Sequence, residues 1–210
     1  MQTVKSVPLR TFFTTAMSRT PNPAKTRLRE EIAAKISALS TEEKKRQSEI
    51  VYNKLINHPW YNSSNRIAIF MSTDQEVNTL PIIDHIQARG AAAFVPQYAG
   101  GKMRMLRLES GDPEVMPRTR HGILQHGGSQ VREDALETGG LDLVISPGQA
   151  FSKAGARLGH GGGYYDKFYQ EMKSLGITPK VLAIGFDVQI TEDIPMDEHD
   201  QFIDGVIYAD

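Results

Sequence analysis

The stretch RLGHGGGYYD, from Arg157 to Asp166, brings together groups that handle anions. Arg157 offers a guanidinium with bidentate reach, while Gly159, Gly161, Gly162 and Gly163 let backbone N–H groups approach a ligand closely. Asp166 adds a carboxylate of the kind that holds magnesium. Phosphate loops use such glycines ahead of a helix, at the positive end of its dipole. Neither standard fingerprint is present. The loop lacks the lysine and hydroxyl of G-x-x-x-x-G-K-[ST], and Tyr164 stands where G-x-G-x-x-G needs its third glycine. Spacing alone therefore leaves two readings: a phosphate cradle, or a loop whose glycines only serve positive φ angles, with Asp166 an ordinary acid in a first helical turn.

Two further sets of residues have the same double reading. In NPAKTRLREEIAAKISAL, helical periodicity points Lys25 into the sector of Leu28, Ile32, Ile36 and Leu39, with Arg29 at its edge. Both cations lie near a helix N-terminus, which disfavours them unless an anion is close. Either their stems cover the core and snorkel to water, or they reach phosphates held by the glycine loop. Met71 ends a strand-like run and Glu76 follows in the next loop, the end of a parallel sheet where ligands collect; a lone loop glutamate is otherwise just solvated. The tail EHDQFID carries His199, Asp200 and Asp204 at no defensible metal spacing, so surface polarity is its default reading. No nucleophile elbow accompanies a Ser-His-Asp set. The chain has no cysteine, which excludes a thiolate nucleophile, a disulfide scaffold and cysteine-ligated metal.

The elements that must position these groups alternate. Asn22 and Pro23 open the first helix, and Ser40 with Glu43 opens a second that runs towards Ile56 and is stopped by Pro59. RIAIFMS (Arg66 to Ser72) reads as a strand, LPIIDHIQARG as a helix ending at Gly90, and AAAFVPQ as the strand that completes a βαβ unit. KMRMLRLES has the mixed pattern of an edge strand, HGILQHGGS reads as loop, and LDLVIS (Leu141 to Ser146) reads as a buried strand. After the glycine loop, Tyr165, Phe168, Tyr169, Met172 and Leu175 repeat at helical spacing until Gly176 and Pro179; KVLAIGFD and GVIYA are the last strands. The sum is an α/β fold with a mostly parallel sheet.

With 210 residues, 40% of them hydrophobic, the chain fits one domain. Twenty-four basic against 25 acidic side chains, a net charge of -1, give no global sign of a nucleic-acid or anionic-membrane partner, and no apolar run approaches the ~18 residues of a membrane span. Residues 1–20 stand apart: basic, rich in threonine and serine and free of acids, they read as a transit peptide or as a flexible tail ahead of a single domain over 21–210. Mitochondrial matrix and cytoplasm are accordingly the two expected locations, with Met17 available as a second start.

Taken together, AKTRLR, FMSTDQEVNT, VREDALETGGLDLVISPG and above all RLGHGGGYYDKF resemble the 5-formyltetrahydrofolate cyclo-ligase family, from about Lys25 to the C-terminus. The resemblance implies a three-layer fold similar to that of ribose-5-phosphate isomerase and the CoA transferases. It implies ATP-dependent closure of 5-formyltetrahydrofolate to the 5,10-methenyl form, with magnesium, in a protein expected to be a monomer that binds only small molecules. Carried onto matching positions, it implies that Lys25, Arg29, Arg157, Leu158, Gly159, His160, Gly161, Gly162, Gly163, Tyr164 and Tyr165 bind ATP, with Arg157 and Lys25 catalytic. Met71, Glu76 and the residues from His160 to Tyr164 would contact the folate, and Asp166 with Asp200 would hold the metal. Ser152 and His160 depart from what relatives commonly carry and raise the polarity of the folate pocket as a question. A non-catalytic folate-binding module, and a sugar-phosphate isomerase or CoA transferase, are the competing expectations.

Overall fold

The computed structural model describes residues 22–128 and 130–210, so the basic segment at 1–20 and the transit-peptide expectation lie outside the described residues. The elements follow in the order α1 (Pro23–Ala38), α2 (Thr41–Ile56), α3 (Pro59–Ser63), β1 (Arg66–Ile69), α4 (Leu80–Ala88), β2 (Ala92–Ala99), β3 (Lys102–Leu108), α5 (Asp112–Val115), β4 (Leu143–Ser146), β5 (Ala150–Phe151), β6 (Arg157–Leu158), α6 (Tyr164–Ser174), β7 (Lys180–Ile184) and β8 (Gly205–Ile207).

Both helix starts behave as their sequences require. Asn22 accepts from the Ala24 N–H at 3.0 Å and Ser40 from the Glu43 N–H at 3.1 Å. The reciprocal half of the second cap is missing because the Glu43 carboxylate is taken by Arg46 and Gln47, at 2.7 Å each. Pro59 lies beyond the end of α2 and opens α3 instead.

The main sheet has the order β3-β2-β1-β4-β7-β8; all its pairings are parallel except that of β2 with the edge strand β3. Its strands are short apolar runs because both faces are covered. Ile67, Ile69, Leu143, Ile145, Leu182 and Ile184 pack with Ile32, Ile36, Val51, Leu55 and Ile83 of α1, α2 and α4. Their neighbours Ala68, Val144, Val181 and Ala183 point the other way, onto Tyr165, Phe168, Tyr169 and Met172 of α6. The result is three layers, helix on sheet on helix.

Three boundaries differ from the sequence pattern, each for a reason. β1 stops at Ile69, and Phe70 and Met71 turn out of the sheet while staying buried. Leu175 continues the α6 stripe in sequence but caps the helix and is 56% exposed, because Gly176 takes φ +72° and turns the chain away. β8 spans only Gly205–Ile207. The ribbon β5–β6, antiparallel with Ala150 opposite Leu158, has no signature in the hydrophobic period.

Candidate active site

The parallel strands deliver their carboxyl ends to one side of the sheet, and a cavity of about 850 Å³ opens there. Met71 from the end of β1, Pro96 and Tyr98 from β2, Gly148 and Gln149 after β4, and Gln189 after β7 all line it. So do Arg157, Gly159, His160, Gly162, Gly163, Tyr164, Tyr165 and Asp166. Pro96 is tolerated within β2 because β1 pairs with that strand only as far as Phe94, so no ladder bond is lost on that side.

The glycine loop is held against α1. Arg29 Nε donates to the Gly159 carbonyl at 2.8 Å, and a side chain on Gly161 would meet the Arg29 guanidinium at 3.8 Å. Gly161 has φ +103°, and Gly163, at the N-cap position of α6, has φ +66°, conformations that favour glycine. The chain thereby turns straight into the positive end of α6 with its backbone uncovered.

Arg157 is fixed from several sides. It is 5% exposed, donates through Nη2 to Asp166 Oδ1 at 3.0 Å and through Nη1 to the Pro147 carbonyl at 3.3 Å, and lies over the rings of Tyr165 and Tyr169 at 5.6 and 5.7 Å. Its Nε and the hydroxyl of Tyr165 are buried without a hydrogen-bond partner among the described residues. Burial pushes the Tyr98 and Tyr165 phenols well above their ordinary range and Tyr169 up to about 12, so all three remain neutral donors.

On the wall formed after β1, Glu76 Oε2 accepts from Thr73 N and Oγ1, both at 2.9 Å, while Oε1 faces His160 Nε2 at 3.7 Å. Tyr98 and Tyr164 meet edge to face at 4.9 Å between ring centres. The expected folate contacts Met71, Glu76, His160 and Tyr164 thus border the same cavity as the loop.

Other expected residues stand elsewhere. The Leu158 side chain belongs to the core, leaving only its backbone available. Lys25 is buried as its helical sector requires, yet it does not line the cavity: its Nζ is held by Asp197 and Asp200. It remains close to the loop through a chain of contacts, since Gln201 N, next to Asp200, donates to Asp166 Oδ1 at 3.3 Å. Ser152 lies outside the cavity lining, in the β5–β6 turn, where its hydroxyl accepts from Ala156 N at 3.0 Å.

Periodicity did not reveal one whole wall. The segment from Thr119 to Gln125, which reads only as loop, borders the cavity because Gln125 bonds Tyr98 on both sides (3.0 and 3.2 Å) and Gln97 donates to the carbonyls of His126 and Gly127. The one sequence hint was polarity, in the run Gln97–Tyr98, at the end of an otherwise apolar strand.

The donor set is compatible with a magnesium ion that a ligand helps to hold. No group of three or more His, Asp or Glu able to cage a cation occurs among the described residues. A magnesium ion, however, is commonly held by one or two carboxylates plus substrate phosphates. Asp166 fits this: its Oδ1 is occupied by Arg157 and Gln201, leaving Oδ2. Asp200, the other expected carboxylate, has its Oδ2 on Lys25 and on Asp197 N.

The model of the 5-formyltetrahydrofolate cyclo-ligase family matches residues 21–209. Over 195 residues, 91% of this chain and 96% of the relative, the sequence is 43% identical to the 5-formyltetrahydrofolate cyclo-ligase of Mus musculus. It is 35% identical over 189 residues to a probable 5-formyltetrahydrofolate cyclo-ligase of Caenorhabditis elegans, covering 88% and 92%. The solution structure of the 5,10-methenyltetrahydrofolate synthetase of Aquifex aeolicus is similar with a TM-score of 0.72 at 26% identity, covering 87% of this chain and 88% of that one. A Mycoplasma pneumoniae synthetase shares the fold at a TM-score of 0.69 and 20% identity, over 89% and 99%.

Proposed function

The chain belongs to the 5-formyltetrahydrofolate cyclo-ligase family and is an enzyme of that kind, and from this premise we propose that it uses ATP to drive closure of 5-formyltetrahydrofolate to 5,10-methenyltetrahydrofolate, releasing ADP and phosphate. The observation that carries the reading is the meeting, in one cavity, of the Arg157–Asp166 pair and the glycine loop with the Met71, Glu76 and Tyr98 wall. The implied likeness to ribose-5-phosphate isomerase and CoA transferases belongs to the same proposal, supported by a site beyond the carboxyl ends of a parallel sheet.

The chemical problem is a poor leaving group. The formyl carbon bears an amide-like oxygen on N5, so attack by N10 stalls unless that oxygen is activated. In the proposed sequence the formyl oxygen attacks the γ-phosphorus, the bond from phosphorus to the ADP oxygen breaks, and a phosphorylated imidate forms. N10 then adds to the carbon and loses its proton to solvent, and the carbon–oxygen bond breaks with its electron pair leaving on phosphate. No covalent protein nucleophile is needed.

The protein's tasks are in-line positioning and neutralisation of charge on the transferring group. Arg157, Arg29 and the N–H groups of the loop serve the phosphates, with Lys25 joining them from the side of α1. Asp166 would hold magnesium, which when bound supplies further charge neutralisation on the phosphates. Glu76 Oε1 is available to accept pterin N–H groups because Oε2 is anchored on Thr73, and Tyr164 and Tyr98 offer ring faces and edges to the bound ring.

Following methenyltetrahydrofolate absorbance with 5-formyltetrahydrofolate and magnesium, with and without ATP, tests the proposal. Product is expected only with ATP. Folate binding without turnover would indicate a binding module, and turnover without ATP would sink the phosphorylation route. Lys25→Ala is expected to weaken ATP about tenfold or more, as loss of a buried charged partner does; an unchanged ATP affinity by calorimetry would remove Lys25 from the nucleotide site.

A further inference from the structure

The wall that periodicity did not reveal carries charge that the proposed chemistry does not use. At 119–122 the chain makes a tight turn: Gly122 N donates to the Thr119 carbonyl at 2.9 Å, and Thr119 N to the Ile123 carbonyl at 2.8 Å. Thr119 Oγ1 accepts from His121 N and Ile123 N, at 3.3 and 3.2 Å, and Gly122 closes the turn with φ +78°. A bridge between Arg118 and Leu124 continues the pairing, and Gln125 fastens the segment to Tyr98 of β2. Arg120 and His121 are thus carried at the tip of a braced turn, exposed and on the border of the cavity. Arg120 Nε donates to His121 Nε2 at 3.0 Å. That bond leaves out the two terminal nitrogens, the pair that forks a carboxylate.

The other charged side chains lining the cavity are Glu76, Arg157, His160 and Asp166. Arg157 is paired with Asp166, and His160 faces Glu76 at 3.7 Å. Arg29, beside the glycine loop, is bonded to the Gly159 carbonyl. Arg120 stands outside both groups, and it forms no ion pair among the described residues. A lone surface arginine is ordinarily just solvated; this one is set at a cavity edge by a turn that is itself tied to the sheet. Resting on the placement of the folate in this cavity, we propose that the turn at 119–122 is the subsite for the glutamate end of the substrate, with Arg120 determining its recognition. 5-Formyltetrahydrofolate is a pterin joined through an aminobenzoyl group to a glutamate, whose two carboxylates are ionised near neutral pH. Glu76 and Asp166 repel those carboxylates, which also lie at the far end of the molecule from the carbon that closes the ring. They need a cation away from the reacting centre and next to water. Arg120 supplies it, forking one carboxylate while the rest of the glutamate stays solvated, and Ile123 and Phe70 offer apolar lining to the aminobenzoyl group. Such a contact is the same before and during the reaction, so it acts on KM rather than on kcat.

Steady-state kinetics with ATP and magnesium test this by comparing 5-formyltetrahydrofolate with 5-formyltetrahydropteroate, the same molecule without its glutamate. Wild type, Arg120→Gln and Glu76→Gln are measured with both substrates, and thermal melting checks that each variant is folded. Wild type should prefer the intact substrate by about tenfold in kcat/KM. Arg120→Gln should raise KM for the intact substrate by about three- to tenfold, the range for one exposed, forked pair with a carboxylate, and should lose much less on the pteroate. High salt should shrink the wild-type preference in the same direction. An equal loss on both substrates would overturn the subsite, because Arg120 would then merely shape the cavity, and so would a preference that the variant leaves unaltered. Glu76→Gln should weaken both substrates alike; if it changes neither, the placement of the folate fails first and the glutamate subsite falls with it.

Discussion

Arg157→Ala is expected to lower turnover by about 10²-fold or more, the scale for losing a preorganised donor to a developing charge. The reason is the way the guanidinium is held. β6 pairs Arg157 with Phe151, Asp166 and the Pro147 carbonyl occupy two of its nitrogens, and two tyrosine rings close over it, so no reorganisation is needed when phosphoryl charge develops. Arg157→Lys separates charge from reach. An ammonium keeps the sign but cannot span Asp166, the carbonyl and a phosphate with one planar fork, so most of the loss should remain. Single-turnover rates close to wild type in the alanine variant, with the fold intact by circular dichroism, would contradict the assignment.

The largest expected effect on stability lies outside the cavity. Gly155→Ala should destabilise the protein by about 3 kcal/mol, from left-handed strain plus a backbone clash. Gly155 has φ +89°, and a Cβ there would stand 2.4 Å from the Ile203 carbonyl oxygen. That oxygen cannot swing aside, because Ile203 N is itself bonded to the Gly155 carbonyl at 2.9 Å. For a chain of this size the melting temperature should drop by roughly 6–12 °C. The clasp joins the β5–β6 turn, which fixes Arg157, to the segment just after Asp200, so nucleotide binding should weaken in parallel. A melting point within about 2 °C of wild type would show that the two backbones separate easily.

Much of this was legible in the chain. Strands buried on both faces are written as apolar runs, and the stripe on α1 placed Lys25 inside before any contact was known. The loop RLGHGGGYYD had the chemistry of an anion site, but spacing left it balanced against an ordinary turn, and the family resemblance tipped the balance. The wall from Thr119 to Gln125 was not legible. Its segment has no hydrophobic period, and it borders the cavity only because Gln97 and Gln125 tie it to β2 by side-chain amides. Nor did any local pattern distinguish Ser152, which faces a turn, from His160, which faces Glu76.

By itself, then, the sequence determined the layers, the buried sector of α1 and the residue types of the anion loop, because periodicity and glycine content act within a few residues of chain. The tertiary structure alone decided who pairs with whom: that Lys25 meets Asp200 across 175 positions, and that Arg157 is shared between Asp166 and the cavity. Charges attract according to distance in space, and that distance is set by the packing of the sheet and its crossovers, which no window along the chain contains.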